Sequence, residues 1–346
     1  MKVLKYILFI LLIAVIGTCI YIAVQPNSFK LSRSITINAP SEVIYNNVID
    51  FKNWSAWSAW VEENPTIRLN FPEQTSGVNG SYSWNDADGT GSMTTTSATP
   101  FANIQQEMRY GDYPASQVNW NFTPNTDGST TVTWSMSGDN LPFGFKAFTA
   151  FSGGVEQQIG PQYERSLKKL DSIVVASMKV YSITVNGTTD HSGGYYLYNT
   201  SSCKVFEVSK KVQDMMPELF AYARANNIST AGNPFIHYIK WDVANDAAIF
   251  SCGLPTTEKI ITTNNDILTG QLPAFKAVKT TLTGDYVNLS EAWNTAMAYV
   301  KAQGFVLSEE GPMLEVGKIT PKDTPNPAKW VTEIYLAIKQ PEQQPE

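Results

Sequence analysis

Between Thr66 and Ser137 the chain breaks into six strand-length pieces, at 67–71, 80–84, 91–97, 103–110, 117–123 and 130–137, divided by turn signals such as DADG and PNTDG. Tight turns of this kind close antiparallel neighbours, because a parallel pair needs a crossover of a dozen or more residues. The pattern therefore predicts an antiparallel meander. Upstream, Leu31, Arg33, Ile35 and Ile37 alternate with polar residues as one more half-buried strand. Ala39-Pro40 then opens a helix striped by Val43, Asn47, Val48 and Phe51, followed by Trp54, Trp57 and Trp60 at spacings of three. After a Gly/Pro/Phe loop, Val155, Ile159, Tyr163, Leu167 and Leu170 recur over several turns, a long amphipathic helix that must cover the sheet.

The segments RSITINAPSEVIYNNVIDFKNWSAWSAW, Gly80-x-Tyr82-x-Trp84, GTGSM (89–93) and IGPQYERSLKKL (159–170) resemble the START-like superfamily in its SRPBCC, or polyketide cyclase/dehydrase-like, branch. The resemblance covers residues 29–175. It implies an α+β helix-grip fold, in which a curved antiparallel sheet and a long C-terminal helix enclose a hydrophobic cavity. Trp57, Trp84, Trp120, Trp134 and Met136 are its candidate walls, and the alternative is that these side chains fill a core. Asp50, Glu107 and Arg109 are the only charged residues embedded near apolar runs, and a helix end or an outward strand position accounts for each.

Residues 178–339 read as a second domain. Tyr181–Val185 and Tyr195–Tyr198 are short strands around the polar turn NGTTDHSGG. A helix follows with Val212, Met216, Leu219, Phe220 and Ala223 on one face, in which Pro217 either makes a kink or marks a first turn capped by Asp214. Strands at 235–241, 247–253 and 275–282 precede a second helix. Asn288 and Glu291 have the spacing of a capping box for it, Leu289, Trp293, Ala296, Met297 and Val300 face inward, and Gly304 ends it. The arrangement amounts to two similar halves built on strand-helix-strand-strand.

The closing stretch, GPMLEVGKITPKDTPNPAKWVTEIYLAIK (311–339), sets Glu315 and Glu333 inside strand-like apolar runs. A buried carboxylate costs several kcal/mol or raises its pKa unless it is paired. One reading is a concave site for a cationic or hydrogen-bond-donating molecule; the other is that period-two alternation turns one or both acids to solvent. Gly311, Pro312, Glu315, Val316, Glu333, Ile334 and Tyr335, with GNPFIHY (232–238), LPAFKAVKTTLTGDY (272–286) and LSEAW (289–293), resemble the gyrase-inhibitor-like family, the effector-binding domain of AraC-type and MerR-type regulators. Gly317 stands where that family usually has Tyr. The resemblance implies a groove between two halves, with ligand contacts from Tyr238, Trp241, Tyr286, Trp293, Glu315, Glu333 and Tyr335.

Lys2 and Lys5 precede an apolar run from Tyr6 to Val24. At 1.5 Å per residue that run is roughly 28 Å, close to a bilayer core. No A-x-A cleavage signal precedes Gln25-Pro26, so residues 1–28 read as a signal-anchor transmembrane helix. The flanking lysines place the remainder outside the cytoplasm, against the opposing pull of Lys30 and Arg33. Residues 340–346 read as a disordered tail. A formal charge of −6 with scattered Lys and Arg argues against nucleic acid as partner, and no helix-turn-helix pattern argues for direct transcriptional control. Cys203 and Cys252 are the one possible disulfide outside the leader; with no CxxC and two histidines, His191 and His237, no metal, cofactor or catalytic residue is assigned. The expectation is a membrane-anchored protein that binds a hydrophobic or cationic amphipathic small molecule. A hydrolase using a pocket glutamate as general base, and an envelope interaction protein without ligand, are the alternatives.

Overall fold

The computed structural model describes residues 2–87, 89–263 and 265–339, and the chain divides into two compact units, Met1–Ser177 and Met178–Glu346. The expected tail, 340–346, lies outside the described residues.

The first unit opens with α1 (Lys2–Ala23), in which residues 3–21 are exposed and Ile22 is buried. Strand β1 (Ser28–Ile37) leads to α2 (Ser41–Ile49), α3 (Trp54–Trp57) and α4 (Ala59–Glu63). Strands β2 (Arg68–Asn70), β3 (Ser81–Asn85), β4 (Thr90–Thr99), β5 (Asn103–Tyr110), β6 (Ser116–Pro124) and β7 (Thr130–Asp139) follow. They form a seven-stranded antiparallel sheet in the order β1-β7-β6-β5-β4-β3-β2. Helix α5 (Phe143–Ser152) occupies the stretch read from sequence as a loop. The segment FGFKAFTAFS buries no residue and turns its apolar side outward, so it carries no core-facing stripe of the kind that marks a helix in the sequence. Helix α6 (Gly154–Ser177) buries Tyr163, Leu167, Leu170 and Val174, the stripe that holds it against the sheet.

The second unit runs β8 (Ser182–His191), β9 (Gly194–Cys203), α7 (Val208–Ala225), β10 (Phe235–Asp242), β11 (Ala247–Thr256), β12 (Leu268–Leu272), β13 (Phe275–Thr283), α8 (Leu289–Ala302), β14 (Met313–Ile319) and β15 (Val331–Ala337). Its eight-stranded sheet has the order β12-β9-β11-β10-β14-β15-β13-β8. The duplication is visible in that order: β9, α7 and the β10–β11 hairpin repeat as β13, α8 and the β14–β15 hairpin. The halves meet where β10 pairs with β14, and the outer strands are exchanged, β8 lying on β13 and β12 on β9.

Several local expectations change. The polar stretch NGTTDH is strand, not turn, because it is an edge paired to β13, with its register stepping past Asn186 where Gly187 takes φ +86°. Pro217 sits inside α7 rather than at its start. The Asn288 side chain donates to Asp285 O and makes no cap bond, while Glu291 accepts from the Tyr181 hydroxyl at 2.8 Å, so the reciprocal cap is replaced by a tertiary contact. Met297, expected inward on α8, is 37% exposed. Cys203 and Cys252 are both free.

Candidate ligand site around Glu315

Strand β14 carries Glu315 at the seam between the halves, opposite Ile236 of β10 on one side and Ile334 of β15 on the other. Directly opposed residues of an antiparallel pair share a face. Ile334 packs in the core under α8 and Ile236 in the core under α7, so Glu315 points toward the helices, between the two apolar clusters. It is 6% exposed. Trp293 of α8 donates its indole N–H to Glu315 Oε1, and the Tyr238 hydroxyl of β10 is a second donor. Burial pushes the carboxyl up to about 7 despite those two donors, which pull the other way; among the described residues no cation acts on it.

Aromatic rings close over the acid. Tyr238 meets Trp293 edge-on at 5.5 Å and Trp241 at 5.3 Å, and burial next to Glu315 raises the Tyr238 hydroxyl well above its ordinary range. Trp241 is 44% exposed and Tyr286 37% exposed, both at the rim. Tyr286 packs on Trp330 at 4.8 Å. Trp330, whose indole donates to Thr324 O at 2.9 Å, is a residue that sequence reasoning misses. Its place directly before the β15 run is the available signal, and the long β14–β15 loop hides its partner.

Glu333 and Tyr335 do not belong to this site. Glu333 opposes Val316 and Tyr335 opposes Leu314, so both face the side of the sheet away from the helices. A one-residue difference in register decides this, and no strand pattern read alone across a loop of that length supplies it. Burial alone would raise the Glu333 carboxyl, but Lys279 at 2.6 Å and the Tyr335 hydroxyl at 2.8 Å hold it below its usual value. A cavity of about 250 Å³ opens on this opposite face, walled by His191, Tyr196, Phe235, Leu314, Glu333 and Tyr335. Its acid is already neutralised and its histidine is engaged: His191 stacks on Phe275 at 4.7 Å and accepts from Gly193 N at 3.0 Å. Glu315 is therefore the acid with unmet charge, although it does not line that cavity.

In the first unit, Trp57, Trp120 and Trp134 are almost wholly buried and lie on one another. Trp120 stacks on Trp134 at 4.3 Å, Trp134 on Tyr163 at 3.6 Å, and Trp57 meets both tryptophans edge-on at 5.9 and 6.0 Å. Trp84 lies apart, between Tyr82 and Tyr110. These rings pack on one another in the interior, where the spacing WSAWSAW brings all three of its indoles onto the sheet-borne pair. The indole N–H groups of Trp57 and Trp134 have no acceptor among the described residues, nor has the amide nitrogen of Gln106. Among the described residues, no group of three or more His, Cys, Asp or Glu is placed to hold a metal ion.

Residues 28–174 match the family described as polyketide cyclase / dehydrase and lipid transport, and residues 173–339 match the GyrI-like small molecule binding domain. No curated protein matches the chain. Among solved structures, the EcmrR C-terminal domain is 16% identical, with 47% of this chain and 99% of that one covered and a TM-score of 0.41. Protein CV1439 from Chromobacterium violaceum is 17% identical over 43% of this chain and 98% of its own, with a TM-score of 0.32. An EcmrR–DNA complex is 13% identical over 56% of this chain and 76% of that one, with a TM-score of 0.41. Nothing in these comparisons bears out the exclusion of nucleic acid drawn from charge.

Proposed function

From a chain that joins a domain of the polyketide cyclase / dehydrase and lipid transport family to a GyrI-like small molecule binding domain, we propose a membrane-anchored receptor for a lipophilic cation, which it holds at Glu315. The observation that carries this reading is an acid 6% exposed, capped by aromatic rings and without a cationic partner among the described residues. A cation that enters supplies the missing charge, draws the proton from the carboxyl, and gains attraction from the faces of Trp293, Tyr238 and Trp241. Because Trp293 and Tyr238 cover Glu315, entry displaces rings, and their bonds to the carboxylate are exchanged for the ligand. Helix α1, 22 residues with Val3–Ala23 long and apolar enough to cross a bilayer, serves as the anchor. Lys2 and Lys5 stay on the cytoplasmic side, which sends both units outward.

A second reading is favoured by the same near-neutral carboxyl: a glutamate poised near pH 7 is suited to take a proton from water. Glu315 would then activate water against a bound electrophile, with Trp293 and Tyr238 placing it.

The test uses tetraphenylphosphonium and its neutral relative triphenylphosphine oxide on the full chain in detergent. A site that holds the cation at 100 times its Kd raises stability by roughly 2.7 kcal/mol. Tetraphenylphosphonium should raise the melting temperature of the parent and not of Glu315→Gln, and the neutral compound should act on both alike. Equal shifts in parent and variant would remove the site from Glu315; consumption of an ester or epoxide probe lost in Glu315→Gln would favour the hydrolytic reading.

A further inference from the structure

Helix α5 turns its apolar side outward. Phe143, Phe148 and Phe151 are 50, 57 and 70% exposed, and α5 buries no residue. At 100° per residue these three rings, with Gly144 and Ala147, fall within an arc of roughly 140°. Lys146, the one charged residue of α5, lies outside it. On the other side Phe145 stacks on Phe29 of β1 at 5.9 Å and meets Tyr113 edge-on at 5.4 Å, which fixes the roll of the helix. Its end is set by Gly153 and Gly154, both at φ +85°. A contiguous exposed apolar face of this kind marks a surface that meets lipid or another protein.

The position of the face selects lipid. Leu141 N donates to Asn27 O at 3.2 Å, tying the residue before Pro142 and α5 to a residue four past the end of α1. Four residues reach at most about 14 Å. Helix α1 also touches α5, and Ile22 in its last turn is 5% exposed while residues 3–21 stand open. The phenylalanine face is therefore pinned where the apolar helix emerges. We propose that α5 lies in the lipid–water interface beside the end of α1, with Phe143, Phe148 and Phe151 entering the acyl chains and holding the first unit against the membrane. This rests on the reading of α1 as a membrane anchor.

The test distinguishes the two. The full chain with Cys19, Cys203 and Cys252 changed to Ser is placed in phosphatidylcholine nanodiscs, and nitroxides are attached singly at Ile13→Cys, Phe148→Cys, Phe151→Cys and Thr126→Cys. Thr126 lies in the turn before β7, near the end of the β1–β7 pair remote from α1, since Ile37 opposes Thr130 and Ser28 opposes Asp139. Collision with oxygen should exceed collision with a water-soluble nickel chelate at 13, 148 and 151, with the order reversed at 126. Water-like labels at both 148 and 151 with a lipid-like label at 13 overturn the α5 proposal and spare the anchor. A water-like label at 13 overturns both. Spin–spin broadening at 148 that disappears on dilution with unlabelled chain means that a second copy covers the face, which also overturns the proposal.

Discussion

Glu315 puts a carboxyl where water cannot solvate its charge, and the stability of the protein should register that. Its pKa rises from 4.5 to about 7 in the folded state. A raised acid favours the folded form while it is protonated, so its contribution is intact below about pH 4.5, falls as pH climbs toward 7, and stays low above. At about 1.4 kcal/mol per unit the penalty above pH 7 is on the order of 3 kcal/mol. Glu315→Gln, which keeps an acceptor for Trp293, should unfold at a higher temperature than the parent at pH 8 and at the same temperature at pH 4, read by circular dichroism melts. Glu333 behaves in the opposite sense. Removing it as Glu333→Gln leaves Lys279 half-buried beside a neutral amide and should cost about 2 kcal/mol at pH 7 in denaturant unfolding, without affecting tetraphenylphosphonium binding. That 311–339 held a candidate pocket acid was legible from two glutamates in apolar runs, whereas the rings over it, Tyr238, Trp241 and Trp293, lie outside that stretch and were implied only by the family resemblance. Which acid was buried was not legible, because it depends on one step of register between β14 and β15.

At the level of elements, regular alternation was readable and exceptions were not. Strands β4 to β7 and helix α6 follow directly from period-two and period-3.6 patterns, since each buries one face. Helix α5 escaped because its apolar face points away from the protein, and β8 because its glycine, asparagine and threonines gain strand geometry only from β13. Gly187 sits at φ +86°, and the nearest atom to the place a Cβ would take there is the Tyr299 hydroxyl oxygen at 3.9 Å, so the site isolates backbone strain from steric clash. Gly187→Ala should therefore destabilise by about 1 kcal/mol and Gly187→Asn by less, checked by urea midpoints. In the first unit, Trp134→Ala should cost about 3–5 kcal/mol by emptying the stack on Trp120 and Tyr163. Trp134→Phe should cost much less, because it keeps a ring there and deletes an indole N–H that has no acceptor among the described residues.

For the molecule as a whole, two family signatures in fixed order and one apolar helix were all visible in the chain, because fold depends on pattern summed over many residues. In the proposed site, ligand chemistry would rest on one carboxyl and the few rings over it, where a single side chain decides. Anchoring has a simple check: the full chain should stay in the membrane pellet after alkaline carbonate extraction, and a chain lacking residues 2–27 should appear in the supernatant. The claim that an enclosed acid receives a cation is tested most directly by the affinity for tetraphenylphosphonium, whose charge does not titrate, from pH 5.5 to 8.5. Binding should strengthen about tenfold per unit below pH 7, level off above it, and be weak and flat in Glu315→Gln. An affinity independent of pH in the parent, or retained in Glu315→Gln, would contradict it.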